Sequence, residues 1–217
     1  MTYSKDKDVG FAVHQHLVEV GVETPFTQKK IDKTNLEYLF TQIMREVGLD
    51  LKDDSLNETP RRLAKLYSDE YFYGLDYNNF PKATVVANKF NYDEMLIERN
   101  VKVNSLCEHH FLSILGGAFI AYIPEKKVLG LSKLNRIVDF FCRRPQIQER
   151  LTAQIYHALS FLLETENVAV VIEAEHLCVK TRGIMDACSD TVTSQLGGSF
   201  RIPEVRAEFI SLSKGLR

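Results

Sequence analysis

Cys107, His110 and Cys178 are the residues in this chain with the most chemical potential. They stand in two short clusters, Cys107-Glu108-His109-His110 and His176-Leu177-Cys178. Two thiols and an imidazole are soft-to-borderline ligands that suit Zn²⁺. Three protein ligands leave a fourth position open, which is the pattern of a catalytic rather than a structural zinc site. Each cluster carries a further histidine, His109 and His176. Beside a metal-activated water such a group is placed to move protons near neutral pH. Ligand types alone therefore point to a zinc-dependent hydrolytic enzyme. Two blander readings stand beside it. Cys107 and Cys178 could be buried reduced thiols, or His109 or His176 could complete a four-ligand structural zinc.

The rest of the chain must position these groups. At 217 residues it is one large domain or one domain with an extension. A hydrophobic fraction of 45% and a charged fraction of 26% fit a soluble globular protein. The formal net charge of −2 argues against nucleic acid as partner, although basic residues that converge locally could still bind small phosphates. No apolar run approaches the roughly 20 residues of a membrane helix. The N-terminus lacks the apolar core of a signal peptide. A cytoplasmic location is expected, in which the four cysteines stay reduced.

The first ~75 residues read as helical. Leu36, Leu39, Phe40, Ile43, Met44 and Val47 form one apolar stripe, closed by Gly48 as C-cap. Thr59 as N-cap and Pro60 at the first helical position start a second helix, which continues to Gly74. A weaker pattern around Phe11 to Val20 suggests another. From Pro81 the pattern turns to strands over Thr84–Phe90 and Met95–Leu106. Gly116-Gly117 reads as a turn into a strand over Ala118–Ile123. Ser132 opens a helix carrying Leu134, Ile137, Val138 and Phe141. Pro145 breaks it and starts another through Leu151, Ile155, Leu159 and Leu162. Val168–Ala174 reads as a central strand and Thr191–Phe200 as a last one. The order predicts an α+β fold. If the chain stays extended past Ala174, His176 and Cys178 face the same side. Cys107 and His110 need a turn to converge. Cys142 reads as a packing residue, and Arg143-Arg144 as a solvated helix end.

Around these residues the chain resembles the zinc-dependent GTP cyclohydrolase I family. The resemblance rests on Cys107-Glu108-His109-His110, Ala121–Pro124, Gly130–Val138, Arg144–Thr152 and Glu175–Gly183, with Glu58–Lys65 upstream. It extends from about residue 24 to 200. It implies a T-fold, an antiparallel sheet with two helices on one face, over residues 81–217, preceded by an N-terminal helical region over 1–80. The implied reaction converts GTP and water to 7,8-dihydroneopterin triphosphate and formate, the entry step to tetrahydrofolate or tetrahydrobiopterin. By the same resemblance Cys107, His110 and Cys178 hold Zn²⁺. His176 protonates N7, His109 is a second proton carrier, and Ser132 meets the ribose. Glu149 accepts from the guanine edge with Gln148 supporting it. Lys133, Arg136 and Arg182, joined by Arg62 and Lys65, bind the triphosphate. The family is a homodecamer of two pentamers with active sites between subunits. A related T-fold enzyme and a non-enzymatic relative are the competing readings.

Overall fold

The computed structural model describes residues 3–27 and 29–214. Helix α1 spans Lys7–Glu19, and the Asp6 carboxylate caps it by accepting from the Val9 amide. Helix α2, Lys33–Glu46, is capped in the same way by Asp32. It ends at Gly48, whose φ of 81° is the left-handed conformation a C-terminal glycine supplies. Helix α3 spans Thr59–Leu66. Its cap is Glu58 rather than Thr59, so Thr59 is the first helical residue. The chain then continues through a π-helical turn, Tyr67–Tyr71, and two 3₁₀ turns, Tyr73–Leu75 and Tyr77–Asn79.

Among the described residues seven strands and four further helices follow. They are β1 (Val85–Ala87), β2 (Leu96–Cys107), β3 (Ser113–Tyr122), β4 (Lys127–Leu129), α4 (Leu131–Cys142), β5 (Pro145–Gln146), α5 (Gln148–Leu163), β6 (Val168–His176), α6 (Leu177–Lys180), β7 (Thr191–Leu196) and α7 (Pro203–Lys214). The main sheet has the order β5-β2-β3-β6-β7 and is antiparallel except for the short β5 beside β2. β1 and β4 form a separate pair. The mixed α+β architecture agrees with the sequence reading.

Alternation along the strands assigns two faces. Val101, Val103 and Cys107 of β2, Ile114, Ala118 and Ile120 of β3, and Val170, Ile172 and Ala174 of β6 share one core. α4 and α5 cover that face with Leu134, Ile137, Val138 and Phe141, and with Leu151, Ile155 and Leu159. α1 adds Val13 and Leu17. On the other face Ala121 and Ala169 pack beneath Phe200 and Phe209, so the C-terminal residues after Ile202, which the sequence pattern did not resolve, form a helix that seals that side.

Several boundaries differ from expectation, each for a physical reason. Gly116 and Gly117 lie inside β3 rather than before it. A Cβ on Gly116 would stand 2.0 Å from the Glu173 carbonyl oxygen, so β6 can approach only a glycine there. The last strand stops at Leu196, because Gly198 turns the chain with φ of 48°. Pro145 does not start α5 but pairs, with Gln146, alongside Leu106 and Cys107. Arg144 is not solvated. Its side chain is fully buried, donates to the Glu23 carboxylate (3.1 Å), the Tyr77 hydroxyl (3.3 Å) and the Gly74 carbonyl, and lies against the Phe140 and Phe141 rings. The α2 stripe is only partly used. Met44 is buried, whereas Leu39, Ile43 and Val47 face outward.

Candidate metal centre and active site

Strand register brings the chemistry to one end of the sheet. Leu106 lies opposite Ser113 and Ile114 opposite His176, so the end of β2, the start of β3 and the end of β6 coincide. Cys107, Ile114 and His176 stand at positions that face the helix side of the sheet. β5 ties that same end to α5, which begins immediately afterwards. The β2–β3 connection is a tight loop. The Cys107 amide donates to the Leu112 carbonyl (2.8 Å) and the Phe111 amide to the Cys107 carbonyl (2.9 Å). Phe111 closes the loop with φ of 52°, a conformation non-glycine residues seldom adopt, and its ring packs near Tyr67 and Phe72.

This loop is the turn that Cys107 and His110 require. Ligand atoms of Cys107, His110 and Cys178 all lie within 4.8 Å of one another. Cys107 Sγ is 3.9 Å from His110 Nδ1. Zinc–sulfur bonds of about 2.3 Å and zinc–nitrogen bonds of about 2.0 Å in a tetrahedron place such donors roughly 3.5–3.8 Å apart. Small side-chain rotations therefore suffice, and the three residues fit a divalent metal. The electrostatics agree. Burial, and then the neighbouring Cys107 thiol, push the Cys178 thiol above its ordinary value. Two thiolates this close need a cation between them.

Cys178 reaches the group differently from the extended geometry expected. β6 ends at His176, and Cys178 sits in the short helix α6. His176 and Cys178 are therefore separated in role by a change of backbone direction. The His176 Nε2 atom is 2.7 Å from Gln148 Oε1. Burial holds its imidazole below the ordinary value, partly offset by the Glu149 carboxylate. His109 is exposed, with Nδ1 3.9 Å from Cys107 Sγ, yet it is not part of the convergent set.

The remaining expected residues divide into two groups. Glu149 is exposed on the first turn of α5, close enough to His176 to influence it. Arg182 lies at the rim, its guanidinium donating to His110 Nε2 at 2.5 Å. Ser132, Lys133 and Arg136 lie elsewhere. They occupy the first turns of α4, where Asn135 contacts Glu98, and Arg136 stands over the Tyr3 ring. Glu98 is nine β2 residues before Cys107, roughly 30 Å along an extended strand. One subunit does not bring these three to the metal group. Arg62 and Lys65 are exposed on α3, with no contact to the group among the described residues.

Sequence reasoning missed the frame around the site. Arg150 clamps Glu108 with two bonds, 2.6 and 3.3 Å, and holds that carboxyl below the usual range. The clamp joins the metal loop to the first turns of α5. Gln146, fully buried, donates to the Phe141 carbonyl and to Gln154 Oε1, while its own carbonyl accepts from the Glu108 amide. The available signal was polar residues on an apolar stripe: Gln148 and Thr152 share a helical face with Leu151 and Ile155, and all are buried.

Two expected results follow here. Arg150→Met releases Glu108 and loosens the loop, so zinc affinity falls by about 10–100-fold, as loss of an outer partner of a metal site does. Competition with a zinc chelator measures this, and unchanged affinity removes the clamp's role. Cys142 is buried, and burial pushes its thiol up to about 12. Keeping it protonated favours the fold below the ordinary thiol value near 9.0, and that contribution is lost as pH rises through about 12. At about pH 8 a thiol reagent should modify exposed Cys188 and spare Cys142, with Cys107 and Cys178 reacting only after chelation. Peptide mass spectrometry reads the sites, and rapid Cys142 labelling sinks the prediction.

The fold and site thus define an α+β protein in which Cys107, His110 and Cys178 converge as a group that could hold a metal ion, beside further histidines. The family model for GTP cyclohydrolase I matches residues 36–214. GTP cyclohydrolase 1 of Yersinia enterocolitica is 54% identical over 203 residues, covering 91% of this chain and 92% of the relative. The Photobacterium profundum GTP cyclohydrolase 1 is 54% identical over 202 residues, 91% and 93% of the two chains. That of a Shewanella strain is 53% identical over 208 residues, 93% and 96%. The chain belongs to the GTP cyclohydrolase I family. Among the described residues no helix is long and apolar enough to cross a membrane.

Proposed function

We propose that this chain hydrolyses GTP and rearranges it to 7,8-dihydroneopterin triphosphate with release of formate, the first step toward tetrahydrofolate or tetrahydrobiopterin. The observation that carries the reading is the convergence of Cys107, His110 and Cys178 beside His176, in a chain of this family. Cys107, His110 and Cys178 would hold Zn²⁺, which when bound would supply an activated water near neutral pH. Opening the imidazole ring at C8 places electron density on N7, and His176 delivers the proton there. His109, exposed on the metal loop, carries protons to and from later species. Glu149 projects from α5 beside His176, where a carboxylate accepts from both N1–H and the exocyclic amine of guanine. Arg182 at the rim suits phosphate oxygens through its planar fork.

Ser132, Lys133 and Arg136, too distant within one subunit, act on GTP held by a neighbouring copy. Arg62 and Lys65 are assigned to the triphosphate with them. Support comes from the open edges of the sheet. Among the described residues β7 has no outer partner, and β2 pairs with β5 only at Leu106 and Cys107. Such edges call for pairing, and a ring of five copies with two rings per particle satisfies them. The α2 residues Leu39, Ile43 and Val47 offer further apolar surface for assembly. The sheet with α4 and α5 on one face supports the T-fold reading of residues 81–217, preceded by the helical region 1–80. Reduced thiols at the metal set suit the cytoplasm.

Formate release from GTP by the purified protein, before chelation, after it and with zinc restored, tests the proposal. Formate that vanishes with the metal and returns with zinc supports it. A folded, zinc-loaded protein that releases none would remove it.

A further inference from the structure

The resemblance places Gln148 in the guanine pocket, but the structure engages every polar atom of its side chain inside the subunit. Its amide nitrogen, with two hydrogens to share, lies within hydrogen-bond distance of three acceptors, the Ile172 carbonyl (3.1 Å), the Thr191 carbonyl (2.8 Å) and the Thr193 hydroxyl (3.1 Å). Its Oε1 lies 2.7 Å from His176 Nε2. The side chain is buried, and Thr152 reinforces the arrangement by bonding both the Gln148 carbonyl and the Thr193 hydroxyl.

These partners decide the orientation of the amide. Ile172 and Thr191 offer only carbonyl oxygens, which accept and never donate. Flipping the amide would set Oε1 against both of them and leave its N–H groups facing the imidazole. The oxygen therefore faces His176, and Nε2 must be the ring nitrogen that carries a hydrogen. Among the described residues His176 Nδ1 makes no hydrogen bond.

We propose that Gln148 is a positioning residue, which holds His176 with Nε2–H bonded to its own oxygen and leaves Nδ1 as the atom that exchanges protons with substrate. This rests on the reading of His176 as the proton carrier of the proposed reaction. Gln148 joins three elements to do it: the first turn of α5, the end of β6 and the start of β7. The register that sets His176 opposite Ile114 fixes the ring's height along the sheet, and the amide fixes its rotation. A histidine held through its second nitrogen presents one defined atom to its substrate, as metal-ligating and triad histidines do.

The test uses the full-length zinc-loaded protein with ¹⁵N-labelled histidine, and Gln148→Met, which keeps volume but loses the bonds. Solid-state NMR of the ring nitrogens, with His176→Asn identifying the signals, reads the tautomer without substrate. Wild type should show hydrogen on Nε2, and Gln148→Met should show a mixture. In turnover, Gln148→Met should lower kcat for formate release roughly 100-fold, the scale of general acid–base catalysis, with KM for GTP changed by no more than about twofold. Thr193→Val, which removes one of the three acceptors, should lower kcat several-fold with the same KM pattern, and carries the test if Gln148→Met fails to fold. The proposal is overturned by wild-type His176 with hydrogen on Nδ1, or by a raised KM at unchanged kcat, as a direct guanine contact would give. If wild type released no formate, the functional reading would fall, while the NMR result would still decide the positioning role.

Discussion

Cys107→Ser protein purified in the presence of zinc should carry less than stoichiometric metal and release formate from GTP at least about 1,000-fold more slowly than wild type. The size follows from what is lost. Without the metal the attacking water returns from a pKa of about 7 toward 15.7, and that activation is lost. Serine is nearly the shape of cysteine, but its hydroxyl is a hard and weakly acidic donor that does not bind zinc as a thiolate does. Cys107 is buried at the end of β2, so the substitution also removes a packed sulfur from the core. A comparison under chelation isolates the packing effect: metal-free Cys107→Ser should unfold about 1–3 kcal/mol below metal-free wild type, the cost of burying a hydroxyl in place of the sulfur. Full turnover by a metal-free Cys107→Ser protein would show that the ligand set is wrong.

The second large effect is on stability. Arg144→Met should destabilise the fold by about 3–5 kcal/mol, the cost of leaving one member of a buried ion pair without its partner. For a chain of this size that is a fall in Tm of roughly 6–20 °C. Arg144 is wholly buried, and its carboxylate partner Glu23 is itself largely covered. Glu23 also accepts from the Tyr77 hydroxyl at 2.5 Å and contacts His14 and Gln154. Burial pushes the Tyr77 hydroxyl well above its ordinary value, so it stays a donor throughout the working pH range. Removing Arg144 strands the Glu23 charge and frees the Gly74 carbonyl. Glu23→Gln in the Arg144→Met background should recover part of the loss, because an uncharged amide tolerates the site better. Denaturant or thermal unfolding measures both. A loss under about 1 kcal/mol for the single variant would mean that water reaches the site and the pair is worth no more than a surface contact.

The two effects are linked through the chain. Arg144 precedes Pro145-Gln146, the short strand alongside Leu106 and Cys107. The buried charge therefore anchors the segment against which Cys107, the first of the proposed ligands, is laid.

Much of the site was legible in the residues. The residue types of Cys107, His110 and Cys178 suggested a metal centre beside the reading of buried thiols, and the described structure gathers those three into a group that could hold an ion. Helical periodicity located α1, α2, α4 and α5, and the apolar run from Val168 located β6, because burial against one face imposes a period that survives in the sequence. Less legible was anything dependent on contact between distant segments. Arg143-Arg144 reads as a charged helix end because arginine is seldom buried. Only the meeting of Glu23, Gly74 and Tyr77 makes burial tolerable. Gly116-Gly117 reads as a turn because glycine usually marks one, whereas here β6 passes too near for any side chain. The α7 helix has a weak periodic signal, and its burial depends on Phe209 finding Phe200.

By itself the sequence determined which atoms could bind a metal and where the long helices and the central strand lie, since these rest on residue type and local period, and its motifs carried the family resemblance. The tertiary structure alone decided that Gln148 turns inward to His176, that Arg150 grips Glu108, and that Ser132, Lys133 and Arg136 stand at the far end of β2. Those facts depend on strand register and on which helix turn meets which strand end. Both are set by the packing of segments far apart in the chain, which no local pattern encodes.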